Sequence, residues 1–152
     1  MENINKRKMN RLIVSFVIIS TLLLSCTVDR SRNGKFDGMW HITKIEDIAT
    51  GSVTDLSNEY YFWNVDTKLL EFRNTQSVAS QLIMRFELKD NVLTLSEVHI
   101  YDRAGGDPLL TDTTLVYPYG MTTIPQSFSV KTLRSSEMYL ESSEKRILFE
   151  KY

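Results

Sequence analysis

The chain has 152 residues, 18 basic and 19 acidic, which allows one domain and argues against a nucleic-acid binder that relies on bulk positive charge. Hydrophobic residues make up 42% and charged residues 24%, ordinary globular usage that sets aside a disordered tail and a multi-span membrane protein. The charge is uneven: residues 1–25 hold Lys6, Arg7, Lys8 and Arg11 against Glu2, so the remainder carries 14 basic and 18 acidic residues, a net charge of −4.

A basic patch ending at Arg11 precedes an apolar run from Leu12 to Leu24, the layout of a secretory signal peptide over residues 1–25. As a helix the run would cover roughly 20 Å of a hydrocarbon core about 30 Å thick, so a permanent span is not expected. It ends in Leu23-Leu24-Ser25-Cys26, which resembles the bacterial lipobox. That resemblance implies that Cys26 is diacylated, exposed by cleavage and acylated again. The alternative is an incidental or buried thiol. Two or three chains, at about 0.8 kcal/mol per buried methylene, make a stable anchor where one does not. With its single cysteine on lipid, the domain has neither a disulfide nor a thiolate metal site. The residues after Cys26 include one acid and two arginines, unlike the acid-rich tag that exports Bacteroidetes lipoproteins to the cell surface. An outer-membrane lipoprotein facing the periplasm is therefore expected, with surface exposure left open.

Residues 26–37 read as the lipidated cysteine and a polar, flexible tether. From residue 38 to 152 the pattern has period two, with no apolar stripe of helix length, and the domain reads as all-β. Strands are expected at 39–48, 59–65 and 68–74. Leu82, Met84, Phe86 and Leu88 alternate with mostly charged neighbours, which marks a half-buried strand. It turns at Asp90-Asn91 into a partner over 92–101, where Leu93 and Leu95 share one face while Val98 and Ile100 share the other; that switch predicts a bulge near Ser96 or Glu97. A short strand is expected at 113–117 and longer ones at 127–133, 137–142 and 146–151. Connectors of hairpin size make neighbours antiparallel, so eight or nine strands form a meander that closes into a barrel. Two longer connections, 49–58 and 103–126, are candidate functional loops.

Gly38-Met39-Trp40, opening the first strand, resembles the Gly-x-Trp signature of lipocalins and related calycin barrels. The resemblance implies a lipocalin-like barrel over 38–152 with Trp40 plugging the closed end and Arg146 or Lys151 as the cation that covers it. The C-terminal stretch from Val130 is similar to that of small lipocalin-like lipoproteins abundant in Bacteroidetes, mostly of unknown function. A second lipocalin signature containing Thr-Asp-Tyr is absent from its usual place.

His41 and His99 lack the spaced partners of a zinc site, and no nucleophile elbow, phosphate loop or dinucleotide motif occurs. No metal, cofactor or catalytic residue is assigned. His99 reads either as a cavity-lining base near Asp102 or as a strand residue. Glu87 and Glu97 read either as approaching carboxylates or as a wetted outer face. Tyr60-Tyr61-Phe62-Trp63 must place two rings on each face of a strand, either packed beneath the 49–58 loop or forming a stacking platform at the barrel mouth. Tyr60, Phe62 and Trp63, completed by Tyr117 and Tyr119, are the candidate ligand contacts. The expected protein is a membrane-anchored, non-enzymatic binding module for a small apolar or glycan-derived ligand. The alternative is a filled barrel that docks an envelope protein. Large inward side chains favour that alternative.

Overall fold

A computed structural model describes residues 32–152. The chain is all-β: β1 (Gly38–Asp47), β2 (Val53–Asp55), β3 (Tyr61–Asp66), β4 (Leu69–Asn74), β5 (Leu82–Lys89), β6 (Val92–Ile100), β7 (Gln126–Leu133), β8 (Glu137–Glu141) and β9 (Lys145–Lys151). Every pairing between strands is antiparallel, and β1 pairs with β9, so β1 and β3–β9 close an eight-stranded barrel. Closure removes the sheet edges that an open meander would expose. The ninth strand, β2, lies within the loop expected at 49–58 and pairs with the second half of β1, Lys44 to Glu46, which β3 leaves uncovered.

Alternation decides what enters the bore. Trp40 and Ile42 of β1, Trp63 and Val65 of β3, Leu70 and Phe72 of β4, Leu82 and Met84 of β5, Leu93 and Leu95 of β6 and Phe128 of β7 are buried. Met138, Leu140, Ile147 and Phe149 complete the ring from β8 and β9. The sequence switch in β6 has the expected cause: between Ile83 and Arg85 the register shifts, and Glu97 adopts a positive φ of 50°. The extra residue returns Val98 to the core.

Antiparallel order places the connections alternately at two ends. At one end Thr67-Lys68, Asp90-Asn91 and residues 134–136 make tight turns, and Asp90 and Asn91 carry the positive φ values, 52° and 60°, of a two-residue hairpin loop. At the other lie residues 48–60, 75–81, 101–125 and 142–144. The expected strand at 113–117 is instead part of a 3-10 helix, Thr113–Tyr119. Asp112 caps it by accepting hydrogen bonds from the Thr114 backbone and hydroxyl, and Pro118 fixes φ within it; both favour a turn over a ladder.

Residues 33–37, expected as the end of a tether over 26–37, instead pack on the barrel. Gly34–Phe36 forms a 3-10 turn, and Phe36 is buried edge-on against Phe86 at 5.3 Å between ring centroids. Asn33 bonds Asp37 and donates to the carbonyl of Thr67 at 2.9 Å, so residues 33–37 belong to the barrel. Cys26 and the signal sequence lie outside the described residues.

Candidate functional site

The end with tight turns is closed. Trp40 is fully buried, and its Nε1 donates to the carbonyl of Phe36 at 2.8 Å. Lys151 is its register partner on β9 and sits with Nζ 4.6 Å above the ring centroid, donating to the carbonyls of Lys35 and Asp37. Burial pushes this ammonium below its ordinary pKa. Gly38 makes the arrangement possible: at φ +114° it has no Cβ, and one would lie 2.9 Å from Lys151 Cε.

Arg146 is not the covering cation. It points outward near the other end of β9, where its guanidinium bonds Glu46 and Glu141 at 2.9 Å each. The inward parity of Ile147 and Phe149 dictates this, since a residue next to an inward one faces out, whereas Lys151 shares their parity.

Nor do the candidate aromatics form one surface. Trp63 is wholly buried against Phe72, Phe128 and Phe149, with ring centroids 4.8 to 5.7 Å away. Tyr119 descends from the 3-10 helix, stacks on Phe72 at 4.7 Å and donates its hydroxyl to the Ser80 carbonyl, while its own carbonyl accepts from Trp63 Nε1. Burial raises the Tyr119 pKa strongly. These two rings are core, and Tyr119 with Val116 and Met121 plugs the mouth. Phe62 faces outward but is covered by His41 and Tyr152, whose ring centroids lie 5.1 and 5.3 Å away. Tyr60 is exposed beside the mouth.

Outside the plug lies a groove of about 620 Å³, within the range of small-ligand sites. Ile45, Leu56, Tyr61, Pro118 and Met121 give it apolar walls, and Tyr117, 51% exposed, is the one of the five sequence-chosen aromatics that lines it. Thr54, Thr122, Glu144 and Lys145 supply polar groups. Lys145 donates to Asp47 at 2.8 Å, and this ammonium, with bonds from Thr50, holds the Asp47 carboxyl well below the usual carboxylate range. Tyr61, in the aromatic cluster but not among the candidate contacts, is identified by chain direction: β3 runs from the mouth towards the closed end, so its first inward ring belongs at the mouth. Asn74, paired with Tyr61 on β4, leaves its buried Nδ2 without a partner among the described residues while Oδ1 accepts from Gln76 and Val78.

Each histidine meets a backbone carbonyl through one ring nitrogen. His99 meets the carbonyl of Asp107 through Nδ1 at 2.7 Å, and His41 meets that of Glu59 through Nε2 at 2.6 Å. Glu97 pairs with Arg85 at 2.6 Å on the outer face. Among the described residues no group of three or more His, Cys, Asp or Glu is arranged to hold a metal ion.

A model of the lipocalin-like domain family matches residues 21–152. Among solved structures the chain is similar to a lipocalin-like protein from Bacteroides uniformis, at 17% identity and a TM-score of 0.59, with 78% of this chain and 100% of that one covered. It is likewise similar to a protein from Bacteroides eggerthii, at 18% identity and a TM-score of 0.54, with 76% and 98% covered. At such identities the likeness is one of fold. No curated protein matches the sequence.

Proposed function

Because the chain belongs to the lipocalin-like domain family, we propose that it is a non-catalytic binding module of the cell envelope, anchored through acylated Cys26 and binding a small apolar or glycan-derived ligand at the barrel mouth. The observation that carries this reading is the groove of about 620 Å³ beside the exposed Tyr117 ring. It differs from a ligand held inside the bore, because the bore is occupied by large rings and capped by Tyr119. A site outside the plug binds without opening the barrel. Anchoring is supported by the lipobox-like Leu23-Leu24-Ser25-Cys26, and the scarcity of acids after it supports a periplasm-facing outer-membrane location.

Soft native mass spectrometry of protein from its own host, with thermal shifts across fatty acids, sterols and oligosaccharides, tests the reading. A bound species is expected, together with its loss in Tyr117→Ala at an unchanged melting temperature. A bare mass and no shift with any probe would favour the second reading, a lipoprotein docking an envelope protein, to which the filled bore lends support. For the anchor, the expected N-terminal fragment begins at acylated Cys26, and Cys26→Ser leaves the membrane fraction or keeps its signal. An unmodified cysteine in a mature soluble protein would end that part of the proposal.

A further inference from the structure

We propose that the mouth groove takes a cationic amphiphile, an apolar body bearing one positive charge; this rests on the groove being the binding site argued above. The two ends of the barrel differ in charge. The mouth connections contain Asp55, Glu59, Asp102, Asp107, Asp112 and Glu144 against a single cation, Arg103, which lies 3.4 Å from Asp107. Six against one leaves −5 there. Around the closed end, residues 32–37 and the three tight turns contain Arg32, Lys35, Lys68 and Arg134 against Asp37 and Asp90, a net +2. A cleft under charge of one sign concentrates ligands of the other and repels its own.

Inside the groove the same sign prevails. The one ammonium in the lining, Lys145, is neutralised by Asp47 at 2.8 Å, while the Glu144 side chain makes no ion pair among the described residues. Bonds from Ser57 and Thr114 keep Asp55 and Asp112 below their ordinary pKa, so these carboxylates stay charged into mildly acidic solution. Ile45, Tyr61 and Pro118, which line the groove and keep exposed area, offer a surface for an aliphatic or ring body. Tyr117, exposed and also lining the groove, is a ring type that takes an ammonium over its face. A fatty acid seated there would bring its carboxylate beside Glu144, while the one cation in the lining, Lys145, is already paired with Asp47.

The test is calorimetric titration at low ionic strength with three probes of equal chain length below their micellar concentrations: dodecyltrimethylammonium, dodecyl maltoside and laurate. The ammonium probe is expected to bind about three- to tenfold more tightly than the maltoside, and laurate most weakly, with the spread narrowing as salt is added. Glu144→Lys should weaken the ammonium probe about threefold or more and strengthen laurate. Its melting temperature should hold, since the side chain makes no hydrogen bond or ion pair among the described residues. Glu144→Gln, without the added charge, should give a smaller shift in the same direction. Equal binding of all three probes, or tighter binding of laurate, overturns the charge inference and leaves the groove standing as an apolar site. Failure of every probe to bind overturns the groove as a site, and this inference with it.

Discussion

The two ends of the barrel are built from the same strands and solve different problems. At the closed end the turns are short, Phe36 folds under, and a buried indole is capped by an ammonium whose protons reach backbone carbonyls. At the mouth the connections are long, and of the ten exposed large apolar side chains among the described residues six lie in them, namely Val53, Tyr60, Val78, Tyr101, Leu109 and Tyr117. The closed end gives its buried indole backbone and ammonium partners, and the mouth carries the larger share of the exposed apolar side chains. Loops that bind must keep such surface, while a rigid opposite end supplies the stability that it forgoes.

The sharpest way to break this comparison is to remove the closed end's largest ring. Trp40→Ala should lower the unfolding free energy by about 3 to 5 kcal/mol, read by denaturant titration, through lost burial and the cavity left behind. A loss under about 1 kcal/mol would mean that the barrel does not depend on that plug. The mouth's equivalent is Gly120, which closes the 3-10 helix at φ +86°. A Cβ there would lie 2.4 Å from Ile147 Cδ1, a buried side chain of the barrel wall, so Gly120→Ala should cost about 1 to 3 kcal/mol. If the cost is negligible, the Tyr119 segment is a loose cover and the bore can open.

Lys151 and Arg146 sharpen the comparison within one strand. Lys151→Met keeps the aliphatic stem but loses the contact with Trp40 and two hydrogen bonds, an expected cost of about 1 to 2 kcal/mol. Arg146→Met loses ion pairs to Glu46 and Glu141 on a face open to solvent, where screening weakens them, and should cost less. The reverse order in chemical denaturation would argue that the outer charge network, rather than the plug, holds β9 in place.

Most of the wall was legible in the sequence because a strand writes its faces as alternation. Leu82 to Leu88 announced β5, Asp90-Asn91 its turn, and the switch between Leu95 and Val98 the bulge at Glu97. The mouth was less legible, since its residues answer to partners distant in the chain. Nothing local shows that Tyr119 stacks on Phe72 or that Trp63 is enclosed by three rings from β4, β7 and β9. Aromatic density therefore pointed to a surface where there is core. The better signal was positional: with the tight turns fixing one end, Ile45, Tyr61 and Lys145 fall at the other. The cation over Trp40 yields to the same parity, which separates Lys151 from Arg146.

The smallest expected effect is the dependence of stability on acid, and it too divides the molecule. Asp47 is held below the ordinary carboxylate pKa by Lys145 and Thr50, Asp55 by Ser57 and Asp112 by Thr114, all at the mouth, while Glu141 is held down by Arg146 on the outer wall. A carboxyl whose folded pKa is depressed binds its proton more readily in the unfolded chain. Its stabilisation is complete above the ordinary value and disappears as pH falls through the folded one. The unfolding free energy should therefore be flat near neutrality, begin to fall near pH 4 and keep falling below it. Because each of these carboxylates is exposed or only half-buried, the decline should be shallow and should flatten further in salt. Hydrogen exchange locates it. The amides of Thr50, Ser57 and Thr114 donate to the three aspartates at 2.8 to 3.0 Å and should lose protection before the amides of the closed-end hairpins. Asp47→Asn should remove part of the acid limb while lowering stability at neutral pH. Loss of protection at the same pH throughout the barrel would mean that the two ends unfold as one unit, and that the division drawn between them is one of shape and charge alone.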